Sequence, residues 1–298
     1  MYKFVIIGCG TAGSLHAAQT ATLGKLEAVC DIKPEKAQAL GEKHDARAYR
    51  SIEDLLSGTP DADIVCVCTP AGLHAEHIIK SLQAGRNVIS ESPLCLTKAA
   101  AWQMIETEKF CGRRLVPYEA YHSYRLPAGL ETKITAAHSF ELICHDRADE
   151  QEDGNSWQLQ RFPGGGRLYT SFCREIDLLV KLFGLPAIVK GSTGGQISPS
   201  ATENNGEAEM QMANGSKGRL AWATGGAERK SQLRIFDEKG GITSIDLPGN
   251  RLQHGDIYPG MLRDFHEKKS TAPLLLRAAA TAEAIEKIYK GILPENHD

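Results

Sequence analysis

Two hydrophobic periodicities alternate along the first third of the chain. Short apolar runs of strand length, Phe4–Ile7, Leu26–Cys30, Ile64–Cys68 and Val88–Ser90, carry no polar alternation. Between them lie stretches with helical spacing, which predict helices over Thr11–Leu23, from Pro34 onward, over Ile52–Leu56, over Ala71–Gln83 and from Thr97 to near Gly112. Strands alternating with helices imply right-handed βαβ crossovers and a parallel sheet covered on both faces, which is why its strands are apolar throughout.

The pattern changes near Val116. Candidate strands then follow one another as Ser139–Cys144, Ala187–Lys190, Glu207–Met212, Gly218–Ala223, Gln232–Phe236 and Ile242–Asp246, with glycine turns such as Ala213-Asn214-Gly215 and Lys239-Gly240-Gly241 between several of them. That spacing predicts an antiparallel sheet. One long helix is expected from about Arg167 to Phe183, and two more near Tyr258–Glu267 and Ala278–Tyr289. Leu168, Phe172, Ile176, Leu179 and Phe183 form the buried stripe of the long helix. The Gly-, Ser-, Thr- and Asn-rich stretch Gly191–Gly206 is expected to be a surface loop.

Composition narrows the function classes. The chain has 298 residues, enough for about two domains, and a formal net charge of −3. Its basic residues never cluster beyond pairs such as Arg113-Arg114 and Lys268-Lys269, so no nucleic-acid footprint is expected. No apolar stretch is long enough to span a membrane. The first strand is expected to start at Tyr2 or Lys3, leaving no room for a secretory signal. The cysteines sit largely inside apolar strands, as small hydrophobes in a reducing cytoplasm.

The first run leads into candidate chemistry. Gly8-Cys9-Gly10-Thr11-Ala12-Gly13 places G-x-G-x-x-G directly after a strand and at the start of a helix. Gly8 permits the turn, Gly10 lets a pyrophosphate approach the backbone, and Gly13 lets the helix pack close to the sheet. The amides of Thr11 and Ala12 then open a helix whose positive end faces the phosphates. Asp31 ends the second strand 18 residues after Gly13. A carboxylate there accepts hydrogen bonds from ribose hydroxyls and repels a 2′-phosphate, which favours NAD over NADP, although Lys33 nearby softens the preference. The expected fold is therefore α/β. Residues 1–120 form a Rossmann domain with a doubly wound parallel sheet, and residues 121–298 an α+β domain with a mostly antiparallel open sheet.

Further motifs carry a resemblance. Thr69-Pro70-Ala71-Gly72-Leu73-His74 is followed by Ala84-Gly85-Arg86-Asn87-Val88 and then Glu91-Ser92-Pro93. Gly164-Gly165-Gly166-Arg167-Leu168-Tyr169-Thr170 runs on to Arg174-Glu175-Ile176-Asp177. The chain resembles the glucose-fructose oxidoreductase / inositol 2-dehydrogenase / rhizopine catabolism family of NAD(P)-dependent oxidoreductases. The resemblance implies cofactor contacts from Thr69, Pro70, His74 and Glu91, and substrate binding and oligomerisation by the second domain. It also implies a catalytic Lys, Asp and His, and here those three positions hold Ser92, Thr170 and Arg174.

Those replacements change the chemistry. Arginine stays protonated and cannot be a general base, but it anchors carboxylates and phosphates. Serine and threonine need a neighbouring base. Thr170 and Arg174, four apart, are expected on one helix face. Candidate proton carriers are Tyr121 and His122, with Tyr124, His145, Tyr169 and Glu175 as further possibilities. His74 and His77 lack a third ligand at useful spacing, so no metal is expected. His16 is read as a helix-packing residue, and Trp157 as lining the cleft or, the favoured reading, packing beneath the glycine loop. The expectation is a cytoplasmic homodimer or homotetramer that uses NAD or NADP on a small polar, sugar-derived or anionic substrate. A catalytically inactive dinucleotide-binding sensor or scaffold, or an imine or enone reductase, are the alternatives.

Overall fold

The computed structural model describes residues 1–118, 130, 134, 137–147, 157–195, 202–247, 254–267 and 269–292. Tyr121, His122 and Tyr124 lie outside the described residues. The chain divides into two compact units, Met1–His122 with Leu252–Ala279, and Ser123–Arg251 with Ala280–Asp298.

In the first unit the elements are β1 (Tyr2–Ile7), α1 (Thr11–Leu23), β2 (Gly24–Cys30), α2 (Pro34–His44), β3 (Arg47–Tyr49), α3 (Ile52–Gly58), β4 (Ile64–Val67), α4 (Ala71–Gln83), β5 (Asn87–Ser90), α5 (Lys98–Cys111) and β6 (Leu115–Pro117). Every strand pair is parallel, in the order β3-β2-β1-β4-β5-β6. The order reverses between β1 and β4, where open α/β sheets leave a crevice at the strand ends. The short edge strands β3 and β6 were not expected, because three residues are too few to show a period. Ser51 caps α3 and Thr97 caps α5, each accepting a backbone N–H.

A distant segment completes this core. The helix His254–His266 places Tyr258 and Met261 among Phe4, Ile6, Ile64 and Ile89, all buried. The Arg114 guanidinium donates to the Asp264 and Phe265 carbonyls at 3.1 and 2.7 Å and lies over the Phe265 ring. Thr271 donates to Glu108 at 2.7 Å.

The second unit holds β7 (Ala137–Arg147), β8 (Pro186–Gly194), β9 (Asn205–Met212), β10 (Lys217–Gly226), β11 (Lys230–Asp237) and β12 (Ile242–Asp246) in the order β12-β11-β7-β10-β9-β8. All pairs are antiparallel except β7 with β10, so the sheet is mostly antiparallel, as expected, with one parallel pair at its centre. Its strands alternate: Phe140, Leu142, Cys144, Leu220, Trp222, Leu233 and Ile235 point to a buried face, and Phe140 stacks on Phe183 of the helix Cys173–Phe183 at 4.4 Å.

Two further expectations need correcting. Gly191–Gly194 continue β8, and Asn205-Gly206 open β9, so both ends of the supposed loop are strand. The long helix is broken: Arg167–Thr170 is one short helix, Cys173–Phe183 another, and Ser171 and Phe172 lie between them. Thr170 and Arg174 therefore stand on different helices, not on one face. The stripe of Leu168, Phe172, Ile176, Leu179 and Phe183 is nevertheless buried throughout.

Candidate active site

At the end of β1 the chain turns sharply. Gly8 has φ +97° and donates its N–H to the Cys30 carbonyl at 2.8 Å, while a Cβ there would stand 2.6 Å from the Cys68 oxygen. A Cβ on Gly13 would stand 1.9 Å from the Gly8 oxygen, so the start of α1 and the loop pack closer than any side chain allows. Gly10 differs, because a Cβ there meets nothing within 4 Å. Two glycines thus serve packing and the third faces open space, as a backbone cradle for a bulky anion requires. No side chain caps α1 at Gly10, which leaves the first-turn amides of Thr11, Ala12 and Gly13 without intrahelical partners.

Asp31 sits against this loop. Its Oδ2 accepts from the Cys9 amide and its Oδ1 from the Lys33 amide, both at 2.8 Å. The carboxylate is fixed by backbone and keeps further lone pairs for a ligand. Burial, followed by the Asp31 charge, pushes the Cys9 thiol up to about 12 and Cys30 to about 11. Both stay protonated, and all eight cysteines are free.

The ends of β4 and β5 are tied together by His74. Its Nε2 faces the Thr69 carbonyl at 2.6 Å and its Nδ1 the Pro93 carbonyl at 2.9 Å. The ring is 1% exposed, and burial holds its pKa below the ordinary value even though both carbonyls favour the charged form. Thr69 Oγ1 also bonds His77 Nδ1 at 3.0 Å. His74 therefore shapes the Thr69-Pro70 turn and the Ser92-Pro93 segment with both ring nitrogens engaged.

A second buried hub was not legible in the sequence beyond its packing role. His16, 0% exposed, places Nε2 2.9 Å from Glu91 Oε1 and bonds the Tyr258 hydroxyl through Nδ1. Glu91 Oε2 accepts the Ser92 amide at 3.0 Å. An ionised carboxylate only accepts, so Nε2 carries the proton. Spacing offered one clue, since His16 lies about one helical turn beyond Gly13; its partners are 75 and 242 residues away and could not be read locally. The Ser92 hydroxyl is buried without a partner among the described residues.

In the second unit Thr170 donates its hydroxyl back to the Gly166 carbonyl at 3.2 Å. Arg174, partly exposed, makes no hydrogen bond or ion pair among the described residues. Two candidate proton carriers are committed elsewhere: Tyr169 is buried and donates to the Ala282 carbonyl, and Glu175 is 1% exposed and bonded to Arg229 and Ser231. His145 is exposed on β7. Trp157 is 37% and Phe162 70% exposed beside the glycine loop, so Trp157 is not packed away as expected. No group of three or more potential metal ligands occurs among the described residues.

The glycine cradle, the fixed acid at the end of β2 and the sheet order define a dinucleotide-binding fold of the Rossmann class. The profile described as "Oxidoreductase family, NAD-binding Rossmann fold" matches residues 2–118, and the "GFO/IDH/MocA C-terminal domain" matches residues 131–243. The chain belongs to the GFO/IDH/MocA oxidoreductase family, and its cofactor is a nicotinamide dinucleotide. It is 28% identical over 228 residues to an uncharacterized oxidoreductase of Streptococcus pneumoniae, covering 72% of this chain and 59% of that one. It is 29% identical over 194 residues to the D-glucoside 3-dehydrogenase of Escherichia coli, covering 62% and 55%. The matched stretch thus spans little more than half the length of these relatives. The WlbA dehydrogenase from Chromobactrium violaceum, solved with NADH and UDP-GlcNAcA, shares the fold at a TM-score of 0.82 and 21% identity, covering 99% and 97% of the two chains. The biliverdin reductase from Synechocystis sp. PCC 6803, solved with biliverdin and NADP+, shares it at 0.77 and 17%, covering 97% and 98%. No helix among the described residues is long and apolar enough to cross a membrane.

Proposed function

We propose that this protein is an NAD(P)-dependent oxidoreductase for a small, anionic, sugar-derived substrate, working without the proton-transfer residues usual in its family. The first unit, which takes in Leu252–Ala279 as well as the N-terminal residues, holds the dinucleotide, and the second unit the substrate. Gly8, Gly10 and Gly13, with the Thr11 and Ala12 amides, receive the pyrophosphate. Asp31 receives the adenosine ribose and favours NAD. Thr69, Pro70 and Glu91, with His74 behind them, shape the nicotinamide end. When bound, the nicotinamide supplies or accepts a hydride.

The observation that carries the substrate class is Arg174, a partly buried cation with no acidic partner among the described residues. It stands at the family's histidine position and cannot take a proton at any working pH. It can bind a carboxylate or phosphate through two parallel N–H donors. Ser92 lies at the lysine position without a partner to activate it, and Thr170 spends its hydroxyl proton on Gly166. Tyr121 and His122 remain the proposed donors. The same lack of a base supports a second reading, reduction of an imine or enone, where hydride delivery needs less proton handling; loss of activity with retained cofactor binding would make the chain a sensor.

Thermal melting of the NADH-bound protein against glucuronate, glucose 6-phosphate and inositol tests this. An anionic member should raise Tm, and Arg174→Ala should abolish the rise. With NAD, inositol and glucose oxidation should stay at background, since a positioned base contributes about 10²–10⁴ in rate. Brisk turnover of a neutral polyol, or an anion preference that survives Arg174→Ala, refutes the reading.

A further inference from the structure

We propose that Arg229 is a positioning residue for this anion site: it claims the acids Asp146 and Glu175 and so leaves the guanidinium of Arg174 with its full charge for a ligand. This rests on the reading of Arg174 as the anion anchor.

Arg229 immediately precedes β11, 55 residues beyond Arg174 in sequence. Its Nη2 donates to Glu175 Oε1 and Oε2 at 3.0 and 3.3 Å and to the Ser171 carbonyl at 2.5 Å, and its Nη1 donates to Asp146 Oδ2 at 3.3 Å. The guanidinium also lies over the Phe172 ring, 5.8 Å from its centre. Ser231 adds a hydrogen bond to Glu175 Oε1 at 2.9 Å.

Two consequences follow. The Ser171 carbonyl lies in the break between the helices Arg167–Thr170 and Cys173–Phe183, where regular helical bonding stops, and Arg229 satisfies it. That contact fixes the break that sets the direction of the second helix, on whose first turn Arg174 stands. Glu175 is the residue next to Arg174 and is 1% exposed, so its charge is tolerable only when paired. With one arginine serving both carboxylates, Arg174 is left without an acid of its own among the described residues. Remove Arg229 and Glu175, the sequence neighbour of Arg174, loses its cation together with Asp146; their charges then draw on Arg174 and oppose an anionic ligand through a poorly screened medium.

A purely structural role and this electrostatic role predict different outcomes for a double variant. Titration calorimetry with glucuronate and glucose 6-phosphate on NADH-saturated protein is the readout. Arg229→Met should weaken the binding anion by about tenfold or more and leave NADH affinity unchanged. Adding Glu175→Gln to that variant removes one of the uncompensated charges and should recover most of the lost affinity. A double variant as weak as the single one shows that the loss is only structural, and an Arg229→Met protein that binds like wild type shows no role at all; either result overturns the inference. Should Arg229→Met not fold, Arg229→Lys carries the test, because lysine keeps a charge but cannot reach all four acceptors. It should show a smaller loss that Glu175→Gln again reverses, and wild-type binding by the Lys variant overturns the inference. If the wild type binds neither anion, or Arg174→Ala binds as tightly as wild type, the Arg174 reading itself is wrong, a result separate from any failure of the Arg229 variants.

Discussion

Asp31 is held by two backbone amides before any ligand arrives, so its oxygens are preorganised rather than mobile. Hydrogen bonds to a charged group contribute about 1.5–3 kcal/mol, and each ~1.4 kcal/mol is a factor of ten in Kd. Asp31→Ala should therefore weaken NADH by about ten- to a hundredfold and weaken NADPH less, because the carboxylate opposes a 2′-phosphate. Fluorescence titration of both cofactors decides it; NADPH that binds tighter to wild type and is indifferent to the change would contradict the ribose assignment. His74 gives a prediction of a different kind. Burial holds its folded pKa below the 6.5 of the free side chain, and His77 is shifted the same way for the same reason. The unfolded chain then binds more protons near and below that value. Stability is full above pH 6.5 and falls as pH drops through the depressed folded value. Melting curves between pH 8 and pH 5 should show Tm declining on the acid side, and His74→Gln should flatten that decline while lowering Tm at neutral pH through a lost carbonyl contact.

At the level of elements, we propose that the three glycines of the first loop separate folding from binding. Gly10→Ala adds a methyl group to open space, so the melting temperature should hold while NADH affinity falls where the pyrophosphate meets the loop. Gly13→Ala drives a methyl group into the Gly8 carbonyl, a rigid neighbour, and overpacking of this kind costs about 1–3 kcal/mol or more. It should lower both Tm and affinity, and equal behaviour of the two variants would mean the glycines do not divide the work this way. The close packing at Gly8 and Gly13 was legible from strand, glycines and helix alone, as were α1 and α4 to the residue, because local periodicity and turn chemistry specify them. The break at Ser171-Phe172 was not. Its apolar stripe keeps helical spacing straight across it, and the groups that hold it, Arg229 and Glu175, meet only in the folded chain. The parallel pairing of β7 with β10 escaped for a related reason: strand periodicity reports which face is buried but not which neighbour a strand takes. His16 likewise read as a packing residue until Glu91 and Tyr258 were seen on its two nitrogens.

At the scale of the whole molecule, one face of the second unit's sheet carries a partly exposed polar row among the described residues, and we propose that a second copy of this chain covers it. Across that face the register aligns Arg234, Glu141, Arg219, Glu209 and Lys190 on five adjacent strands, so charge alternates along the row. Arg219 bonds Glu141 at 2.9 Å and Glu207 at 3.2 Å, and Arg234 bonds Glu141 at 3.3 Å. Charges already paired within one chain lose less on leaving water than isolated ones, which makes the row compatible with burial. The exposed Ile242 and Ile188 mark opposite edges, on β12 and β8. Six strands at ~4.8 Å spacing give a face about 24 Å wide, and eight residues at ~3.3 Å make it about 26 Å long. That is roughly 600 Å², near the ~800 Å² each partner contributes to a standard interface. Light scattering at micromolar concentration should return a dimer or tetramer mass. Glu141→Arg would place three cations side by side in the row and should shift the protein toward monomer, while NADH binding in the other unit stays intact. A wild-type monomer, or a Glu141→Arg protein that assembles unchanged, would show that this face is not where copies meet.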